Sequence, residues 1–86
     1  MVGFTGPRRR PHRLALVVGD EGGPVQLSAR LDPVLAARVG AALAEAETAG
    51  ERRAGGEAYT RVEAGLVVEV LAGSGRHGVL TVVRMR

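Results

Sequence analysis

From Val62 to Val70 every second residue is apolar: Val62, Ala64, Leu66, Val68 and Val70 alternate with Glu63, Gly65, Val67 and Glu69. A period of two marks a strand with one buried face. The run stops at Gly73-Ser74-Gly75-Arg76-His77-Gly78 and resumes from Val79 to Arg86, which reads as a hairpin over Tyr59 to Arg86. Pairing Val70 with Val79, Val68 with Thr81, Leu66 with Val83 and Ala64 with Met85 gives one consistent inward set. It also sets Glu63 opposite Arg86. A register one residue different would turn Arg84 and Arg86 into the core, and burying charge is costly.

A second alternation lies near the start of the chain. Leu14, Leu16 and Val18 fall on one face of a strand over 12–18, and Val25, Leu27, Ala29 and Leu31 on one face of a strand over 25–31. Between them Gly19-Asp20-Glu21-Gly22-Gly23-Pro24 is a turn by composition. Pairing Val18 with Val25, Leu16 with Leu27 and Leu14 with Ala29 keeps both sets on the same side, as a hairpin with one buried face must.

The period then changes. Asp32 is a good N-cap, because its carboxylate can accept an orphan amide of the first turn. Pro33 suits the first helical position, where no donor is needed, and Leu31 before the cap can staple against Ala36. Leu35, Val39, Leu43 and Ala46, with Ala42 beside them, form an apolar stripe at helical spacing. Gly50 reads as the C-cap of a helix of about 17 residues. Glu51 to Glu57 is a polar, glycine-containing connection, and Met1 to Pro11, with no periodicity, reads as a flexible basic arm ahead of a single domain over 12–86. The expected fold is α+β: two β-hairpins joined by one helix (β-β-α-β-β), in a single four-stranded, mainly antiparallel sheet with the helix on one face.

At 86 residues without cysteine, the chain has neither disulfides nor thiolate metal ligands to support a small core. Its apolar residues are almost all Val, Leu and Ala, with only Phe4 and Tyr59 aromatic. Such a domain gains from association. Every one of its 12 basic residues is arginine, as a GC-rich bacterial coding sequence produces. The apolar run Leu14 to Val18 is far short of the roughly 20 residues that span a bilayer, and too short for the core of a signal peptide after Arg8-Arg9-Arg10. The expectation is a cytoplasmic protein without a membrane partner.

Four stretches could carry chemistry. Gly73 to Gly78 spells GxGxxG, but a dinucleotide site needs that motif to open a helix, and here a strand follows. Over about ten residues, Leu71 to Leu80 resembles the glycine-rich loop of protein kinases, which does join two strands. That family also requires a strand lysine and later aspartates, and this chain has no lysine. Glycines that turn a hairpin account for the same letters. Ser74 and His77 lack a rigid scaffold and an orienting acid, and His12 and His77 make no metal set. No catalytic residue, cofactor or metal is therefore expected.

Two binding surfaces remain. Val17, Val67, Leu80 and Val82 fall on the outward side of the expected strands, a second apolar set of the kind that marks an interface. They favour a non-enzymatic protein-interaction or regulatory module, most simply a homodimer. The alternative is a nucleic-acid accessory protein. Its contacts would be Arg8, Arg9 and Arg10 of the arm, with Arg13, Arg30, Arg61, Arg84 and Arg86 on the sheet face away from the helix. Glu63 and Glu69 share that face, and it lacks an aromatic residue for stacking bases.

Overall fold

A computed structural model of the chain describes residues 1–17, 24–63, 66–72 and 80–85. It is mainly sheet, with one helix (α1, Pro33–Leu43). Five antiparallel strands form a half-barrel: β1 (Gly3–Thr5), β2 (Arg13–Val17), β3 (Val25–Leu27), β4 (Glu47–Ala54) and β5 (Glu57–Glu63). Their spatial order is β3-β2-β1-β5-β4, and a separate two-stranded sheet pairs β6 (Val68–Ala72) with β7 (Leu80–Met85). The expected single four-stranded sheet is corrected to this arrangement.

The largest correction concerns the first eleven residues. They supply β1, which lies in the middle of the sheet, with Phe4 opposite Leu14 on one side and Thr60 on the other. Phe4 is buried in the main core. A strand of three residues with both edges paired and both faces covered shows no alternation, so composition alone made it look like an arm. The loop after it is anchored as well. His12 N donates to Thr5 O (2.8 Å), and Leu31 N donates to His12 O (2.8 Å).

The main core collects Phe4, Leu14 and Leu16 from β1 and β2, Leu35, Val39 and Leu43 from α1, Val62 from β5, and Leu80 and Val82 from β7. The expected start of α1 is observed: Asp32 caps it, accepting from Leu35 N at 2.9 Å, with Pro33 first in the helix. Its end is not. The helix stops after 11 residues, and Gly50 sits in β4 beyond it. There the ladder slips between Thr48 and Glu51, and the positive φ of Gly50 (86°) suits a bulge residue. The polar stretch Glu51 to Glu57 is the tip of a hairpin, with Ala54 opposite Glu57. Gly55 and Gly56 form its two-residue turn with φ of 56° and 82°, the pair of positive angles a type I′ turn needs.

Both expected registers shift. In the first hairpin Val17 pairs with Val25, Leu16 with Gln26 and Ala15 with Leu27, one residue from the expected alignment. A slip of one sends a strand's side chains to the opposite face. That is tolerated because the sheet buries apolar groups on both faces. Val25 and Leu27 pack with Ala15, Ala54 and Tyr59 in a second cluster, while Leu14 and Leu16 face the first. Ser28 closes the end of the pair: its buried hydroxyl accepts from Leu14 N (3.0 Å) and donates to Ala29 O (2.8 Å).

The alternation from Val62 to Val70 also divides. Val62 belongs to β5, whereas Val68 and Val70 belong to β6 in the other sheet. Leu66, Val68 and Val70 still pack against the same core as Val62, so the period reported burial and not a common ladder. In the β6–β7 pair, Val68 lies opposite Met85, Glu69 opposite Arg84, Val70 opposite Val82 and Leu71 opposite Thr81. Val83 has no opposite residue; it is the extra residue of a bulge. Leu80 and Val82 point into the core, and after the bulge Met85 does so in place of Arg84. The inward registration that would bury Arg84 is thereby used without burying it. The expected partners Val18, Ala64 and Val79, and the turn from Gly73 to Gly78, lie outside the described residues.

Two substitutions test this architecture. Phe4→Ala should cost about 3–5 kcal/mol in urea denaturation, as truncation of a fully packed aromatic does; a flexible arm would give no change. Gly40→Ala should destabilise by about 1–3 kcal/mol even though alanine is the better helix former. A Cβ there collides with the backbone of Arg9.

Candidate functional site

The loop from Gly6 to His12 carries the three consecutive arginines. It runs along α1 in the opposite direction to the helix: the Arg8 side chain reaches Leu43 and Ala46, the Arg9 backbone lies against Gly40, and Arg10 shares a cleft with Ala36 and Pro33. Such closeness requires a residue without a side chain at position 40. Arg8 donates from Nε to Leu43 O at 2.8 Å and from Nη2 to Ala46 O. α1 has no basic residue in its own last turn, so Arg8 supplies a cation and a donor to the helix's last carbonyl, Leu43 O, and bonds the Ala46 carbonyl just beyond it. Arg8 is therefore a structural cap.

The other arginines proposed as nucleic-acid contacts are dispersed. Arg13 and Arg61 lie on the face of the five-stranded sheet away from α1. Arg13 is 3.8 Å from Glu57 in an exposed ion pair. Arg84 sits on the β6–β7 hairpin, bonded to Glu69, and that carboxylate raises its pKa through the hydrogen bond and the charge attraction. Arg9 is exposed, and Arg86 lies outside the described residues. The single cationic sheet face expected from the sequence is thus divided among separate surfaces.

Arg10 and Arg30 are brought together. With Pro7, Pro11, His12, Leu31, Pro33 and Ala36 they line a cleft of about 360 Å³. His12 is fixed there by packing of its ring on Gly6. That both line one cleft is not legible in the sequence, because their segments are joined by the His12–Leu31 backbone bond and not along one strand. A second cleft of about 440 Å³ lies between β3 and the β4–β5 turn, lined by Arg13, Val25, Leu27, Ala54 and Glu57 among others. The Arg13–Glu57 pair already occupies its charges.

The expected apolar interface is redistributed by the shift in register. Leu80 and Val82 are buried, and Val17 is half-buried on β2; Val67 is exposed. Leu71 and Val83 are exposed in their place. Glu69 and Leu71 of β6 point outward, with Val67 exposed just before the strand, and Thr81, Val83 and Arg84 do so on β7. Val83 also meets Val34 of α1 across a shallow groove of about 170 Å³, with Leu35 and Met85 in its floor and Asp32, Arg38 and Arg84 at its rim. The signal for Val83 was present in the unbroken run Leu80-Thr81-Val82-Val83, where alternation fails at the bulge.

Among the described residues no three His, Cys, Asp or Glu side chains approach closely enough to hold a metal ion, and no buried side-chain polar atom lacks a hydrogen-bond partner. Asp32 is engaged as the helix cap. No described helix is long and apolar enough to cross a membrane. Ser74 and His77 lie outside the described residues.

The roles of adjacent arginines can be separated by mutation. Arg8→Ala should lower stability by about 1 kcal/mol, the scale of a charged group bonded at a helix C-terminus. Arg9→Ala should leave the urea midpoint unchanged.

No family model, curated protein or solved structure matches this chain.

Proposed function

We propose that the chain is a non-enzymatic, cytoplasmic protein-interaction module that acts as a homodimer, joined through the outward face of the β6–β7 hairpin. One observation carries this reading. Val67, Leu71 and Val83 share that face at 57%, 66% and 52% exposure, and Val34 extends it across the groove at 67%. A two-stranded sheet is marginal by itself, and this one packs on the core through its other face. Covering the exposed side removes apolar surface from water and adds a second layer.

The charge pattern favours a second copy over an unlike partner. Glu69 and Arg84 are cross-strand neighbours in the middle of the apolar set. A surface with one charge of each sign side by side complements itself under two-fold rotation: each Glu69 can face the partner's Arg84. A strongly acidic or basic partner would set like charges against one of the two. Val17, half-buried beside Val25, contributes nothing to this surface.

Sedimentation equilibrium at micromolar concentration should give a dimer that Leu71→Glu or Val83→Glu converts to a monomer. A sharper test uses charge reversal. Glu69→Arg alone and Arg84→Glu alone should each be monomeric, while an equimolar mixture of the two should form a heterodimer. A wild-type chain that stays monomeric at all accessible concentrations would sink the proposal.

A further inference from the structure

The cleft at Arg10 and Arg30 is separate from the proposed dimer face. Its walls include Pro7, Pro11 and Pro33, whose rings fix the backbone. Three main-chain bonds hold its frame: Arg10 N to Pro7 O (3.2 Å), His12 N to Thr5 O (2.8 Å) and Leu31 N to His12 O (2.8 Å). Arg8 and Gly40 lock the same loop to α1 from the other end. The result is a preformed concavity lined by two arginines, a histidine and apolar residues. Among the described residues no carboxylate lines it. The nearest acid in sequence, Asp32, is turned into the helix to accept from Leu35 N. Among the described residues neither Arg10 nor Arg30 has an ion-pair partner, in contrast to Arg13 and Arg84.

Two like charges beside one pocket, with no counter-charge among the described residues, repel each other, and an anion between them relieves that repulsion. Guanidinium groups recognise phosphate through paired N–H donors, and a terminal phosphate monoester offers the most acceptor oxygens and charge in one small group. About 360 Å³ is at the lower end of small-molecule sites, which leaves room for an attached group against the proline walls. We propose that this cleft binds a phosphate monoester carried on a small molecule of nucleotide size. Arg10 and Arg30 grip the phosphate, His12 donates a further hydrogen bond, and the exposed rings of Pro7 and Pro33 receive the rest. A polymer is the poorer fit. Arg8 is bonded to the Leu43 and Ala46 carbonyls, and Arg13, Arg61 and Arg84 lie on other surfaces, so none of these four described arginines extends the cleft into a longer cationic track.

The test is an NMR titration of the full chain at low salt with three probes: adenosine monophosphate, inorganic phosphate, and a deoxythymidine decamer without terminal phosphates. Adenosine monophosphate should saturate, with amide shifts concentrated at residues 7–12 and 30–36. Inorganic phosphate should move the same signals more weakly. The decamer should leave them in place. Arg10→Ala and Arg30→Ala, both at exposed positions, should each weaken the nucleotide about tenfold, the scale of one charge-assisted contact; Arg61→Ala should have no effect. Shifts with none of the three probes would overturn the proposal. So would tighter binding of the decamer than of the mononucleotide, which would make the loop a nucleic-acid surface, or nucleotide binding that survives loss of both arginines.

Discussion

This molecule depends on the close approach of two backbones, that of Arg9 and that of α1 at Gly40. A core with one phenylalanine and otherwise leucine, valine and alanine has little side-chain volume with which to fill a gap. Good packing then requires that main chains come near one another. Glycine at position 40 permits this. Arg8 completes the junction by bonding the Leu43 carbonyl at the end of α1 and the Ala46 carbonyl beyond it, which ties the loop that feeds β2 to the helix. Phe4 and β1 stand on one side of this loop and Leu14 and β2 on the other, so the sheet's centre is located by the same contact.

Local chemistry was legible in the sequence where a single residue decides the outcome. Asp32 and Pro33 mark the helix start because one carboxylate and one missing donor suffice. Leu35, Val39 and Leu43 show its buried stripe, and Leu14 and Leu16 the inward face of β2. The positive φ of Gly50 could be anticipated, but its element could not: a helix cap and a bulge ask for the same left-handed residue. Gly55-Gly56 carried a readable hairpin signal that the charged residues around it concealed. What the sequence does not display is which partner completes a strand. β1 is recognisable only through β2 and β5, and the two halves of the Val62–Val70 alternation separate because nothing in a period of two names the neighbouring strand.

The binding surfaces follow the same division. Residue types indicated an apolar outward set on the last hairpin and an excess of arginine, and both features are present. Their composition changed with three-dimensional placement. The unopposed Val83 converts an alignment that would have buried Arg84 into one that pairs it with Glu69 on the surface, and in doing so exchanges Leu80 and Val82 for Leu71 and Val83. Among the described arginines, geometry separates a helix cap, two ion-paired residues and two that line one cleft. Charge counting treats them all alike.

The central position of β1 has a consequence for the order in which the molecule can assemble. β1 and β2 are near in sequence and can find one another early, with β3 beside them. The other edge of β1 stays open until β5 exists, and β5 is made only after α1 and β4. During synthesis the middle of the sheet is thus a temporary edge, with Phe4 and Val2 uncovered for as long as it takes to make the chain through Glu63. Closing it is a long-range step, of the kind that slows folding and exposes an intermediate to association.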